Sequence, residues 1–206
     1  MSAQPSPERD PLAHTVRGVD HAAYPTFDPR ATITFYRDVL GFPVVHATCA
    51  LGWGPGDHPD FIHFFFDIGN GDRLAFFYYF GVEPYRDTAI PELLHRARHL
   101  AIHVDSEEHL LEYRRRLDAS DWPCELQVRH ETVESIYVTD PNGYLMEITR
   151  PLRAITPEDD IDANVSVEAL MAVAGEEDPT LEKFFARKAA LIAERYAGEA
   201  ELVTFA

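Results

Sequence analysis

Three side chains of metal-binding type lie in runs that read as β-strands: His21 in the apolar run after Val16, His99 in HLAIHV, and Glu147 in YLMEITR. A strand shows alternate side chains on one face, so His99 shares its face with Ala101 and His103, and Glu147 shares its face with Leu145 and Thr149. Two neutral imidazoles and one carboxylate form a facial set that suits Fe(II) and leaves about three positions for substrate, dioxygen or water. The same donors accept Mn(II), Zn(II) or Ni(II), because affinity order and metal supply decide occupancy. The chain has 10 histidines, so residue type alone does not select these two.

The elements that would position these groups repeat. After the run holding His21, Asp28 and Pro29 read as a cap and first-turn proline, ATITFYRDVLGF as a helix, and Gly41 as the residue just past its end. PVVHATCA, FIHFFFDIG and RLAFFYYF follow as strands, the last two joined by the hairpin signal NGD. The second half runs HLAIHV, SEEHLLEYRRRLDAS, CELQVRHE, VESIYVT and YLMEITR in the same β-α-β-β-β order. Each half has a strand histidine (His21, His99), a later aspartate (Asp28, Asp105) and a helical Tyr-Arg-x-x-Leu (Tyr36 to Leu40, Tyr113 to Leu117). Agreement in order and spacing predicts an internal duplication whose two histidines hold equivalent places.

A formal net charge of -17 on 206 residues makes the surface acidic and disfavours nucleic acid and anionic membrane surfaces as partners. No run reaches signal-peptide or membrane-spanning length, so a cytoplasmic location is expected. Cys49 and Cys124 are expected to be buried and reduced. Residues 1–15 read as a flexible leader, 16–151 as the main domain with modules at about 16–82 and 96–151, and 152–206 as an acidic helical extension. In the extension Leu181, Phe184, Phe185, Lys188, Leu191, Ile192 and Tyr196 form a helical stripe that must lie against its own domain or a second copy.

VDHAAYPTFDPRATITFYRDVLGF resembles the first module of the vicinal oxygen chelate superfamily, which joins glyoxalases, bleomycin-resistance proteins and extradiol dioxygenases; DPNGYLMEITR resembles the last strand of its second module. The resemblance spans roughly 16–151 and implies an α+β fold: two βαβββ modules forming a funnel-like eight-stranded barrel, here with a C-terminal helical extension. It implies that His21, His99 and Glu147 are the metal ligands, and that the protein is a homodimer. VRHETVESIYVTDPNGYLME further resembles the extradiol signature through Val128, His130, Ile136, Tyr137, Asp140, Pro141, Gly143 and Glu147. That likeness implies Fe(II), a small aromatic diol and O2 as substrates, and His130 and Tyr137 as catalytic groups. His103 and His46 are candidate substrate contacts, and Phe65 and Phe77 belong to an aromatic wall formed by the strands around them.

The sequence also departs from that pattern. Asp72 and Arg73 stand where extradiol enzymes carry a further acid/base histidine; Asp72, His103 or His46 are the available substitutes. Ala75 occupies the place of a fourth, carboxylate ligand in glyoxalase-type members. That absence weighs against a glyoxalase I mechanism. The other expectations are a glyoxalase-like lyase, a thiol transferase of the fosfomycin-resistance type, for whose anion the second module offers only Arg96, Arg98 and Arg129, or a metal-free drug-binding protein of the bleomycin-resistance type.

Overall fold

The computed structural model describes residues 18–52, 59–83 and 92–196; the expected leader lies outside them. The described residues divide into two compact units, the larger reaching to Arg153 and the smaller beginning at Ala154.

In the larger unit β1 (His21–Pro25) leads into α1 (Pro29–Ile33), which runs on as a π-helical segment over Thr34–Val39. Asp28 caps α1 by accepting from the Ala31 amide at 2.9 Å, and Pro29 fills the first turn. The segment then widens, Leu40 N–H reaching back five residues to the Phe35 carbonyl at 3.0 Å. Gly41 leaves at φ 83°, a conformation costly for any residue with a Cβ. Strands β2 (Val44–Ala50), β3 (Phe61–Gly69) and β4 (Asp72–Tyr79) complete the module. Asn70 (φ 55°) and Gly71 (φ 87°) form the turn between β3 and β4, as a two-residue hairpin requires.

The second module holds a short helix α2 (Glu92–Ala97) that the sequence reading did not anticipate, then β5 (His99–His103), α3 (Glu107–Asp118, capped by Ser106), β6 (Leu126–Arg129), β7 (Val133–Thr139) and β8 (Leu145–Pro151). The two sheets have the same order, β1-β4-β3-β2 and β5-β8-β7-β6, with β1 and β5 as parallel edge strands. The strands form two four-stranded sheets; no pairing joins them into one eight-stranded barrel among the described residues.

Alternation along β3 and β4 sends Phe64, Phe66, Leu74 and Phe76 into a core with Phe35, Tyr36 and Leu40, continuous with Leu110, Leu117, Ile136 and Ile148 of the second module. Truncating one of these phenylalanines to alanine costs about 3–5 kcal/mol. The modules are also joined through the DPNG turn. Buried Asp140 accepts from the Tyr36 hydroxyl (2.9 Å), the Asn142 amide nitrogen Nδ2 (3.0 Å) and the backbone amides of Asn142 and Tyr144 (2.8 Å each). Burial nevertheless raises the Asp140 carboxyl above its ordinary range and pushes the Tyr36 hydroxyl well above its own, so the phenol keeps its proton and donates. Tyr144 closes the clamp with a 3.1 Å bond to the Pro25 carbonyl.

The smaller unit is a pair of helices, α4 (Pro157–Ala174) and α5 (Leu181–Tyr196), packed through Val165, Ala169, Phe184, Leu191 and Ile192. Thr156 and Asp159 form a capping box at the start of α4. Both cysteines are free, but Cys49 is exposed on β2 rather than buried as expected, because that edge strand is open on both faces. No helix among the described residues is long and apolar enough to cross a membrane.

Candidate functional site

The sequence-predicted site residues fall on two sheet faces. On the second module, His99 pairs with Leu145 in register and Ala101 with Glu147, so the imidazole stands diagonally across from the carboxylate. His99 Nε2 lies 2.9 Å from Glu147 Oε2, and His99 Nδ1 lies 3.4 Å from the Arg96 carbonyl. Glu147 is only 6% exposed, and its other oxygen takes the Ser135 hydroxyl at 2.5 Å. Among the described residues no arginine or lysine pairs with it. A buried carboxylate needs donors, which Ser135, Tyr137 and an Nε2–H of His99 supply. A cation held between the imidazole and the carboxylate would replace that Nε2 proton, and this pairing is the donor chemistry of a metal site.

Tyr137 lies directly opposite Glu147 on β7. Burial first, then the adjacent carboxylate to which its hydroxyl donates, raises the phenol above its ordinary value and keeps it protonated. His130 Nε2 stands 3.2 Å from the same hydroxyl. The consistent assignment is a relay in which His130 Nε2–H donates to Tyr137 and Tyr137 O–H donates to Glu147. His103 shares the face of His99, but it lies toward solvent, 3.6 Å from Asp105.

His21 belongs to the other sheet. Its Nδ1 donates to Asp20 at 2.7 Å, and its ring meets Phe65 edge-on at 5.4 Å. His46 lies 5.2 Å from Phe65 by ring centroids, and Phe77 stacks on Tyr79 at 5.6 Å, so the expected substrate contacts His46, Phe65 and Phe77 line this first-module face. Arg73 is tied to Asp20 at 2.6 Å. Among the described residues no group of three or more His, Cys, Asp or Glu lies close enough to hold a metal ion. The structure thus brings His99 and Glu147 together with His130 and Tyr137, and does not bring His21 to them within one chain.

The structure adds a residue that the sequence reading passed over. His63 on β3 is buried, stacks on Phe77 at 3.6 Å with the rings 8° from parallel, and lies 5.9 Å from the His21 ring. Its signal was available in the duplication. Phe65 pairs with Ala75 as Tyr137 pairs with Glu147, which makes His63 the counterpart of Ser135, the residue hydrogen-bonded to Glu147. For the anion site of a thiol transferase, Arg96 and Arg129 are already engaged by Glu125 and Glu134.

The model of the Glyoxalase/Bleomycin resistance protein/Dioxygenase superfamily matches residues 18–148. Among solved structures, a glyoxylase/bleomycin resistance protein/dioxygenase domain from Frankia sp. EAN1pec aligns at 18% identity over 68% of this chain and 96% of its own, with TM-score 0.51. A lactoylglutathione lyase from Agrobacterium tumefaciens aligns at 22% identity over 66% and 94%, TM-score 0.45. TnmS3, an antibiotic binding protein from Streptomyces sp. CB03234, aligns at 16% identity over 66% and 97%, TM-score 0.46. At these identities the likeness is one of fold. No curated protein matches the sequence.

Proposed function

Because the chain belongs to the Glyoxalase/Bleomycin resistance protein/Dioxygenase superfamily, we propose that it is a metal-dependent enzyme that holds a small aromatic substrate by two vicinal oxygens, with His21, His99 and Glu147 as donors. The observation that carries this is the buried Glu147 carboxylate set 2.9 Å from His99 Nε2 with no arginine or lysine beside it among the described residues. A bound Fe(II), or Mn(II), Zn(II) or Ni(II), supplies Lewis acidity that lowers the pKa of a substrate hydroxyl. His21 stands on one sheet and His99 with Glu147 on the other, so a homodimer that sets the first-module face of one chain against the second-module face of its partner completes the set.

The chain's own groups then divide the work. Ser135 and Tyr137 fix the Glu147 carboxylate, and Tyr137 presents a neutral phenol beside it. His130 holds or returns a proton at the Tyr137 oxygen. Phe65 and Phe77 give an apolar wall for a planar ring. The relay from His130 through Tyr137 to Glu147 supports extradiol ring cleavage of an aromatic diol with O2 as the first reading. A second reading, an oxygen-independent lyase of the glyoxalase kind, is favoured by the extra imidazole of His63 beside His21.

Metal analysis of anaerobically purified protein, beside His99→Ala and Glu147→Ala and with oxygen uptake on catechols, tests the proposal. Near-stoichiometric metal that both substitutions remove, with oxygen consumed and a ring-opened product, is the result expected for the first reading. Metal without oxygen uptake selects the second, and protein that takes up no metal overturns both in favour of a metal-free binding protein.

A further inference from the structure

His21 and His63 form a donor pair that parallels His99 and Glu147. Each ring is braced at Nδ1 by an oxygen: Asp20 Oδ1 at 2.7 Å for His21, and the Phe76 carbonyl at 3.1 Å for His63. An oxygen acceptor keeps the proton on Nδ1 and leaves the lone pair on Nε2, the tautomer that ligates metals. The rings stand 5.9 Å apart at 63° to each other. His63 is 94% buried, being 6% exposed, yet its Nε2 has no hydrogen-bond partner among the described residues. Since no buried side-chain nitrogen or oxygen among the described residues is sealed without a partner, this Nε2 retains some access to solvent. Burial holds the His63 imidazole below its ordinary pKa, and so neutral. On β4, between the two histidine-bearing strands, Ala75 occupies the register position that Glu147 fills in the second module and offers only a methyl group.

We propose that His63 is a direct metal donor which, with His21, forms the first-module half of the metal site and replaces from β3 the carboxylate missing at Ala75. The proposal rests on the metal-site reading above. Its consequence is a donor set of three imidazoles and one carboxylate, an imidazole-rich composition that suits Zn(II), Ni(II) or Cu(II) as well as iron. Four protein donors leave an octahedral ion about two free positions. Those admit both oxygens of a substrate but not dioxygen as well, so the donor count weighs toward the oxygen-independent reading.

The test is metal titration of the full chain after chelator treatment, with Co(II) and Cu(II) as probes, in the wild type and in His63→Phe, His63→Gln, His21→Ala, His99→Ala and Glu147→Ala. The phenylalanine keeps the stack on Phe77 and the glutamine keeps a hydrogen-bond donor; circular dichroism melts of both establish that the fold is intact. Loss of an outer hydrogen-bond partner alone weakens metal binding roughly 10–100-fold, so loss of a donor in either His63 variant is expected to exceed about ten-fold. Pulsed EPR of the Cu(II) form should count three coupled imidazoles in the wild type and two in His63→Phe. Wild-type affinity and an unchanged spectrum in both His63 variants would overturn the proposal while leaving the other three donors in place. Metal lost in the His21 and His63 variants but kept in His99→Ala and Glu147→Ala would sustain the His21–His63 site and sink the shared metal reading. No binding by the wild type rejects both.

Discussion

The two modules share one scaffold and differ in what they hang on it. His21 and His99 open equivalent strands, and the following strands pair in the same order. At three matched register positions the chemistry diverges: Ala75 corresponds to Glu147, Phe65 to Tyr137, and His63 to Ser135. The second module has a carboxylate with a proton relay, and the first has imidazoles set among aromatic rings. Sheet pairing depends on backbone hydrogen bonds, so the side chains at these positions, most of them buried, can change while the fold persists. One scaffold thus carries two unlike sets of side chains. The helices diverge too, α1 widening into π-helical turns where α3 stays regular.

That contrast is most severely tested at the carboxylate. Glu147→Ala should abolish stoichiometric metal uptake, measured by elemental analysis, whereas truncating Asp72 in the first module should leave uptake unchanged; equal effects would break the assignment of the carboxylate donor to the second module. Next, Tyr137→Phe should lower kcat by roughly 10²–10⁴ with metal retained, the usual yield of a positioned acid/base group. Its counterpart Phe65→Tyr should change kcat by less than about ten-fold, since no relay reaches it.

Stability separates the modules in a similar way. Glu134, on the outer face of the second sheet, is pushed up by burial but held down to about 2 by bonds from Arg129, Gln127 and Arg150. Its folded value lies below the ordinary 4.5. The stability it contributes is therefore complete above pH 4.5 and is lost as pH falls from 4.5 toward 2. Glu134→Gln should cost about 1 kcal/mol at neutral pH, because Arg150 keeps its ion pair with Glu107 at 3.2 Å, and should flatten that acid limb in urea melts. The last contrast is at the paired tyrosines. Tyr36→Phe removes a donor from buried Asp140 and should cost about 1–3 kcal/mol. Tyr113→Phe at the matching helix position, which is only half-buried, should cost less than about 1 kcal/mol. Equal costs would show that the DPNG turn does not clamp the modules.

Much of this was legible in the letters. Asp28, Pro29, Gly41 and the Asn70–Gly71 turn act locally, through backbone groups within a few residues, and local chemistry can be read from local sequence. Period-two alternation gave the strands, and the repeated order gave the equivalence of His21 and His99. The pairing of His130 with Tyr137, and of both with Glu147, followed from resemblance alone until the register of β7 on β8 supplied distances. His63 went unnoticed because it sits inside FIHFFFDIG, where hydrophobic neighbours make a lone histidine read as core; only the cross-strand partners show its ring turned toward His21. The sequence by itself determined most of the elements, α2 excepted, and their order, because propensity, capping and alternation are set by neighbours along the chain. Tertiary structure alone decided which donors meet, since the distance between side chains on different strands depends on register and twist that no single segment encodes.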